Sequence, residues 1–177
     1  MPRVGHVRFV ALAALVALLC ALVTPTSANA SARRLSRATT TSYAHKMLGI
    51  LNRERAAHHL RPLHLNAKLV KSAHWHNLHM ARADTLSHQL PHERSFDRRI
   101  SRAGYSWRMV AENIATTSRV SWHGTSAMEY AMYREKAPNN GHRQNILNGQ
   151  YRAVGVDVYY DASHHRIWIT QDFARHS

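Results

Sequence analysis

The sequence predicts an α+β fold. Apolar residues recur at helical spacing through most of the chain and alternate strictly near the C-terminus, and no β-α-β rhythm or glycine-rich phosphate loop interrupts that order. At 177 residues the chain is the size of one domain with a core of its own.

The first helix is expected from about Tyr43, capped by Thr41 or Ser42. Met47, Ile50 and Leu51 share its apolar side, and Arg53, Glu54 and Arg55 are expected to face water. Pro62 ends the helical region, and Leu63 to Leu65 reads as a connector. Asn66 is the expected N-cap of a second helix that runs to about Ala83, with Leu69, Ala73, His76 and Met80 in one stripe. His74, His76 and His79 crowd this helix. Residues two apart point to different faces, so only His76 and His79 can act together, and a packing role suits them better than chelation.

Asp84 to Leu90 is a loop that carries His88. A third helix is expected over Pro91 to Gly104, with Phe96, Ile100 and Ala103 inward, Asp97, Arg98 and Arg99 mostly exposed, and Gly104 as its stop. Trp107 to Ala115 is apolar around Glu112 and Asn113. A carboxylate there is costly if buried alone, so Glu112 faces solvent or a polar pocket. Val120 to Thr125 reads as loop and Ala127 to Glu135 as helix, with Met128, Ala131 and Met132 inward. Pro138 to Gly141 forms a turn that delivers His142, and Ile146 and Leu147 dock on the core. Val154, Val156, Val158 and Tyr160 alternate, and Ile167, Ile169 and Phe173 form a returning strand, giving an antiparallel hairpin.

The N-terminus reads as a secretory signal peptide over residues 1–30. Arg3 and Arg8 precede an apolar run from Phe9 to Val23, and Ala28-Asn29-Ala30 offers a cleavage site near Ala30. The protein is therefore expected to be secreted. Residues 31–42 read as a flexible basic leader and 43–177 as the domain. The one cysteine, Cys20, lies in the apolar run, so neither a disulfide framework nor a cysteine-type zinc site is available to the exported chain. Lys and Arg outnumber Asp and Glu by 24 to 10, a net charge of +14. Such a chain is drawn to anionic polymers and membrane surfaces, but no motif for specific nucleic-acid recognition is present.

An ordered set of motifs resembles the bacterial branch of the CAP superfamily, the SCP-like or cysteine-rich secretory, antigen 5 and pathogenesis-related domain. The set runs through Leu51-Asn52-Arg53-Glu54-Arg55, Pro62-Leu63-His64-Leu65, Ser87-His88, Arg99 with Gly104-Tyr105, Ala111-Glu112-Asn113-Ile114-Ala115, and Gly141-His142-Arg143-Gln144-Asn145-Ile146-Leu147. It ends with Gly155-Val156 and Gln171-Asp172-Phe173. Ala111 stands where the family usually has glycine, and Tyr133 to Asn140 departs from the commonest bacterial pattern. The resemblance implies a three-layer α-β-α sandwich with an antiparallel sheet and a cleft. It implies cleft residues His88, His142 and Glu112, with Glu135 a secondary candidate, supported by Asn113 and Asn145.

Two imidazoles and a carboxylate suit a zinc ion with an open position, acid–base catalysis, or plain hydrogen bonding. His92-Glu93 lacks the second histidine of a zincin, with Phe96 in its place, and no nucleophile motif is present. The leading expectation is a secreted, monomeric module that binds a small ligand, lipid or anionic cell-wall component, with zinc optional and peripheral membrane contact allowed. The alternatives are an extracellular metal-assisted hydrolase, in which His88, Glu112 and His142 would be the catalytic candidates, and a cationic surface-adhesion protein.

Overall fold

The computed structural model describes residues 35–177; the expected signal peptide and its cleavage site lie outside the described residues. The elements, in chain order, are α1 (Arg37–Ala56), β1 (His64–Leu65), α2 (Ala67–Ala83), α3 (Phe96–Arg102), β2 (Trp107–Thr117), α4 (Trp122–Tyr133), α5 (Gly141–Ile146), β3 (Ala153–Asp161) and β4 (Arg166–His176). The sheet has the order β1-β3-β4-β2. β4 lies between β3 and β2 and runs antiparallel to both, while the two-residue β1 pairs parallel with β3. Helices α1 and α4 pack on one face of the sheet and α2 and α3 on the other, which makes the three-layer α-β-α sandwich.

Strand alternation builds both cores. On the α1 face Val154, Val156 and Val158 meet Ile167, Ile169 and Phe173, together with Met47, Leu51 and Met132 from the helices. On the other face Trp168 packs with Met80, Leu90 and Ile114, and Ala174 packs with Leu69, Ile100 and Tyr105. Burial of each large side chain of this kind contributes about 1.5–3 kcal/mol.

Several elements depart from the sequence reading. Helix α1 begins at Arg37, so part of the expected leader is helical. Ser36 is its N-cap, with Oγ accepting the Thr39 N–H at 3.1 Å, and Thr40 and Ala44 are already buried. Glu54 and Arg55, expected in water, are buried because α4 and the end of α5 cover that side of α1. Helix α3 starts at Phe96 rather than Pro91. Arg99, expected to be mostly exposed, is 4% exposed. Helix α4 begins at Trp122, where Ser121 caps Gly124, in a stretch read as loop. Ala131 is exposed, and the inward side chain one turn away from Met132 is Glu129. The expected connector at Leu65 contains β1.

Candidate functional site

The site lies at the β2 edge of the sheet. Glu112 and Asn113 are neighbours on β2, so their side chains leave opposite faces of the strand. Glu112 reaches the α2–α3 side and Asn113 the α5 side, and the two arms of the site grow from these positions.

The first arm carries His88, exposed on the loop between α2 and α3. Its Nδ1 lies 2.9 Å from Oε1 of the buried Glu112. The other Glu112 oxygen accepts a hydrogen bond from Arg99 Nη2. Arg99 also holds the His88 loop, donating from Nη1 to the carbonyls of His88 at 3.1 Å and Arg94 at 2.8 Å. A buried carboxylate is stable there because a buried guanidinium neutralises it. Across the sheet, Asp172 pairs with Glu112 in the β2–β4 register. Burial, and next the Glu112 charge, push its carboxyl well above the usual range, which favours the protonated form of Asp172.

Behind this arm stands a second set of groups. Glu93 Oε1 lies 2.9 Å from His76 Nδ1 and 2.8 Å from His79 Nδ1. The Glu93 carboxyl is held at about 2: desolvation opposes this, but the His76 bond and charge, Arg99 and the Leu90 N–H outweigh it. His76 Nε2 is 3.8 Å from Glu112 Oε1, so the His76 ring stands between the two carboxylates.

The second arm carries His142 in the first turn of α5. Its Nδ1 lies 2.5 Å from Glu135 Oε1, and Glu135 Oε2 accepts the N–H groups of His142 at 3.0 Å and Arg143 at 3.4 Å. Glu135 thus caps α5 and orients its histidine in one contact. Asn113 Nδ2 donates to the His142 carbonyl at 3.2 Å, and Asn145 Nδ2 donates to Asn113 Oδ1 at 2.8 Å. From the far end, the buried Arg55 donates to the Ile146 carbonyl at 2.7 Å and the Asn148 carbonyl at 3.0 Å. The short helix is therefore pinned at both ends.

The arms meet in a cleft of about 320 Å³ lined by His88, Glu112, Glu135, Asn139, Gly141, His142 and Asn145. Each histidine gives Nδ1 to a carboxylate, which leaves Nε2 as its free nitrogen. This is the orientation in which imidazoles serve as metal ligands or as general bases. Among the described residues, no three His, Cys, Asp or Glu side chains stand grouped for one ion. The nitrogens of the cleft left available to a ligand are the Nε2 atoms of His88 and His142, while Glu112 and Glu135 are engaged with the Nδ1 atoms of the same rings. Sequence reasoning missed Arg99, Glu93 and His76 as partners of the site. Arg99 follows Phe96 by three residues and so shares its inward side, a signal that was present.

An α-β-α sandwich whose sheet edge carries two carboxylate-oriented histidines defines the class of protein. The chain belongs to the cysteine-rich secretory protein (CAP) family, whose model matches residues 48–173. It is 30% identical over 132 residues to the uncharacterized protein YkwD of Bacillus subtilis (strain 168), covering 75% of this chain and 47% of that protein. The chain thus spans about half the length of that curated relative. Among solved structures, an extracellular SCP-domain protein from Bacillus anthracis matches with a TM-score of 0.66 and 24% identity, over 80% of this chain and 44% of that one. An outer surface protein of Borrelia burgdorferi matches with a TM-score of 0.67 and 14% identity, over 78% of this chain and 96% of that one. The chain is a CAP-domain protein of bacterial type. No helix among the described residues is long and apolar enough to cross a membrane.

Proposed function

We propose that this CAP domain is a secreted binding module whose cleft takes a small anionic ligand, a lipid head group or a fragment of cell-wall polymer, through His88 and His142. The carrying observation is the matched pair of His–carboxylate contacts, His88 to Glu112 and His142 to Glu135, on one cleft. A divalent metal held by the two Nε2 atoms would supply an electrophilic centre for a ligand oxygen. The protein's own part is to fix the two rings: Arg99 sets Glu112, and Glu135 sets His142 as it caps α5. Secretion is supported by the signal-like N-terminus.

Calorimetric titration of zinc into chelator-treated protein is expected to give a saturable signal that disappears in the His88→Ala, His142→Ala double variant. An identical signal in that variant removes the cleft from metal binding.

The same orientation of imidazoles suits general-base chemistry, which keeps a hydrolase as the second reading. It requires turnover that Glu112→Gln abolishes while the fold is retained; activity unchanged in that variant excludes it.

A further inference from the structure

β1 pairs with β3 only at Ala153 and Val154, after which the chain leaves into α2. From Gly155 to Asp161, β3 has β4 on one side and no described strand on the other. The direction of its backbone follows from two bonds: the Arg152 and Val154 carbonyls accept the N–H groups of His64 at 3.0 Å and Asn66 at 2.9 Å. Strand alternation therefore turns the backbones of Val156, Val158 and Tyr160 to the same open side.

That edge does not lie on an open surface. It forms the floor of a groove of about 560 Å³ between the first half of α1 and the first half of α2. Leu35, Ala44, Leu65 and Val70 supply apolar wall, and Arg37, His45 and Lys71 stand exposed on the rim. The one acidic residue of the groove, Asp157, is already engaged: its Oδ2 accepts Asn77 Nδ2 at 2.7 Å and lies 3.3 Å from His74 Nδ1. The remaining charge at the rim is cationic, from Arg37 and from Lys71, whose Nζ rests 4.9 Å from the centroid of the Trp75 ring.

We propose that this groove binds an extended acidic peptide segment of another protein, which adds as a strand alongside β3 in line with β1. The floor offers backbone donors and acceptors at every second residue, over about 16 Å for five strand residues. A peptide backbone satisfies such a row, whereas an acyl chain leaves it without partners. The apolar walls take alternate side chains of the peptide, and Arg37 and Lys71 pair with its carboxylates. This site is separate from the His88–His142 cleft, because no residue is shared between the two linings.

The test uses a fluorescein-labelled heptapeptide of alternating glutamate and valine, with fluorescence anisotropy as readout. Saturable binding is expected below ~1 mM. The Arg37→Glu, Lys71→Glu double variant, altered only at exposed positions, is expected to weaken it ~10-fold or more. The His88→Ala, His142→Ala variant is expected to bind the peptide as the wild type does. A peptide N-methylated at alternate backbone nitrogens, in the register that faces β3, is expected to lose binding. Amide exchange at Val156, Val158 and Tyr160 is expected to slow in the complex. Absence of saturable binding at ~1 mM overturns the proposal. So does equal affinity for peptides methylated in both registers, or unchanged exchange at the three amides. Displacement of the peptide by palmitate with unchanged exchange marks an acyl-chain groove instead and overturns it as well.

Discussion

At the scale of single residues, the least expected feature is how many carboxyl groups the fold encloses. Glu129 on α4 is fully buried and faces Glu54 on α1, with Gln171 donating to it from β4. Burial pushes Glu54 up to about 7, against the lowering influence of Glu129 and of Arg53, Arg143 and Arg134. Burial first, and then the Glu54 charge, raise Glu129 well above its ordinary value. The folded chain therefore keeps a proton that the unfolded chain releases above pH 4.5, the ordinary carboxyl value. The contribution to stability is complete below that pH and is lost as pH rises through about 7. Glu54→Gln removes the penalty, so the variant is expected to be more stable than the wild type at pH 8, by on the order of 3 kcal/mol, and little changed at pH 4. Urea denaturation at the two pH values measures it; an equal difference at both would show that Glu54 is not the titrating group. These buried acids were not legible in the sequence. Glu54 lies between Arg53 and Arg55 in what reads as a solvated run, and nothing local indicates that α4 closes over it.

At the scale of elements, legibility follows how local the determining contacts are. Helix α2 is as expected, because its signals are all within it: the Asn66 side chain accepts the Lys68 N–H at 3.0 Å, and its apolar stripe is buried throughout. The β3–β4 hairpin is legible for the same reason. The start of α1 is hard to read because Ser36, Thr39, Thr40, Thr41 and Ser42 offer several competing caps, and the packing of Thr40 and Ala44 decides between them. The start of α4 is hidden by a glycine that is there for packing: a Cβ on Gly124 would lie 2.0 Å from the Arg119 carbonyl oxygen. The two histidine arms are placed by motif resemblance, while Arg99 and Glu93 need the tertiary fold. A similar close approach sets the distance between α2 and the sheet. A Cβ on Gly155 of β3 would lie 2.1 Å from the Leu69 carbonyl carbon and 2.4 Å from the Val70 nitrogen. Backbone cannot yield there as a side chain tip does, so Gly155→Ala is expected to cost about 3 kcal/mol and to lower Tm by ~10 °C. A thermal melt within a degree or two of wild type would mean that α2 can shift outward freely.

At the scale of the whole molecule, the enclosed acids change what the net charge of +14 means. Six of the ten acidic residues, Glu54, Glu93, Glu112, Glu129, Asp161 and Asp172, are buried, whereas among the described lysines and arginines Arg55 and Arg99 alone are. Among the described residues the exposed charge is thus more one-sidedly cationic than composition alone suggests. Two kinds of attraction follow, and they separate by salt. Contact with an anionic polymer depends on dispersed exposed charges and decays as the screening length falls from about 10 Å at 0.1 M to about 3 Å at 1 M. The binding proposed for the cleft would depend on two oriented imidazoles and is expected to be far less sensitive. Retention on a polyphosphate matrix is therefore expected at ~0.05 M salt, with release by ~0.5 M, and the His88→Ala, His142→Ala variant is expected to elute with the wild type. Elution of that variant at clearly lower salt would mean that the cleft, rather than the dispersed charge, holds the polymer.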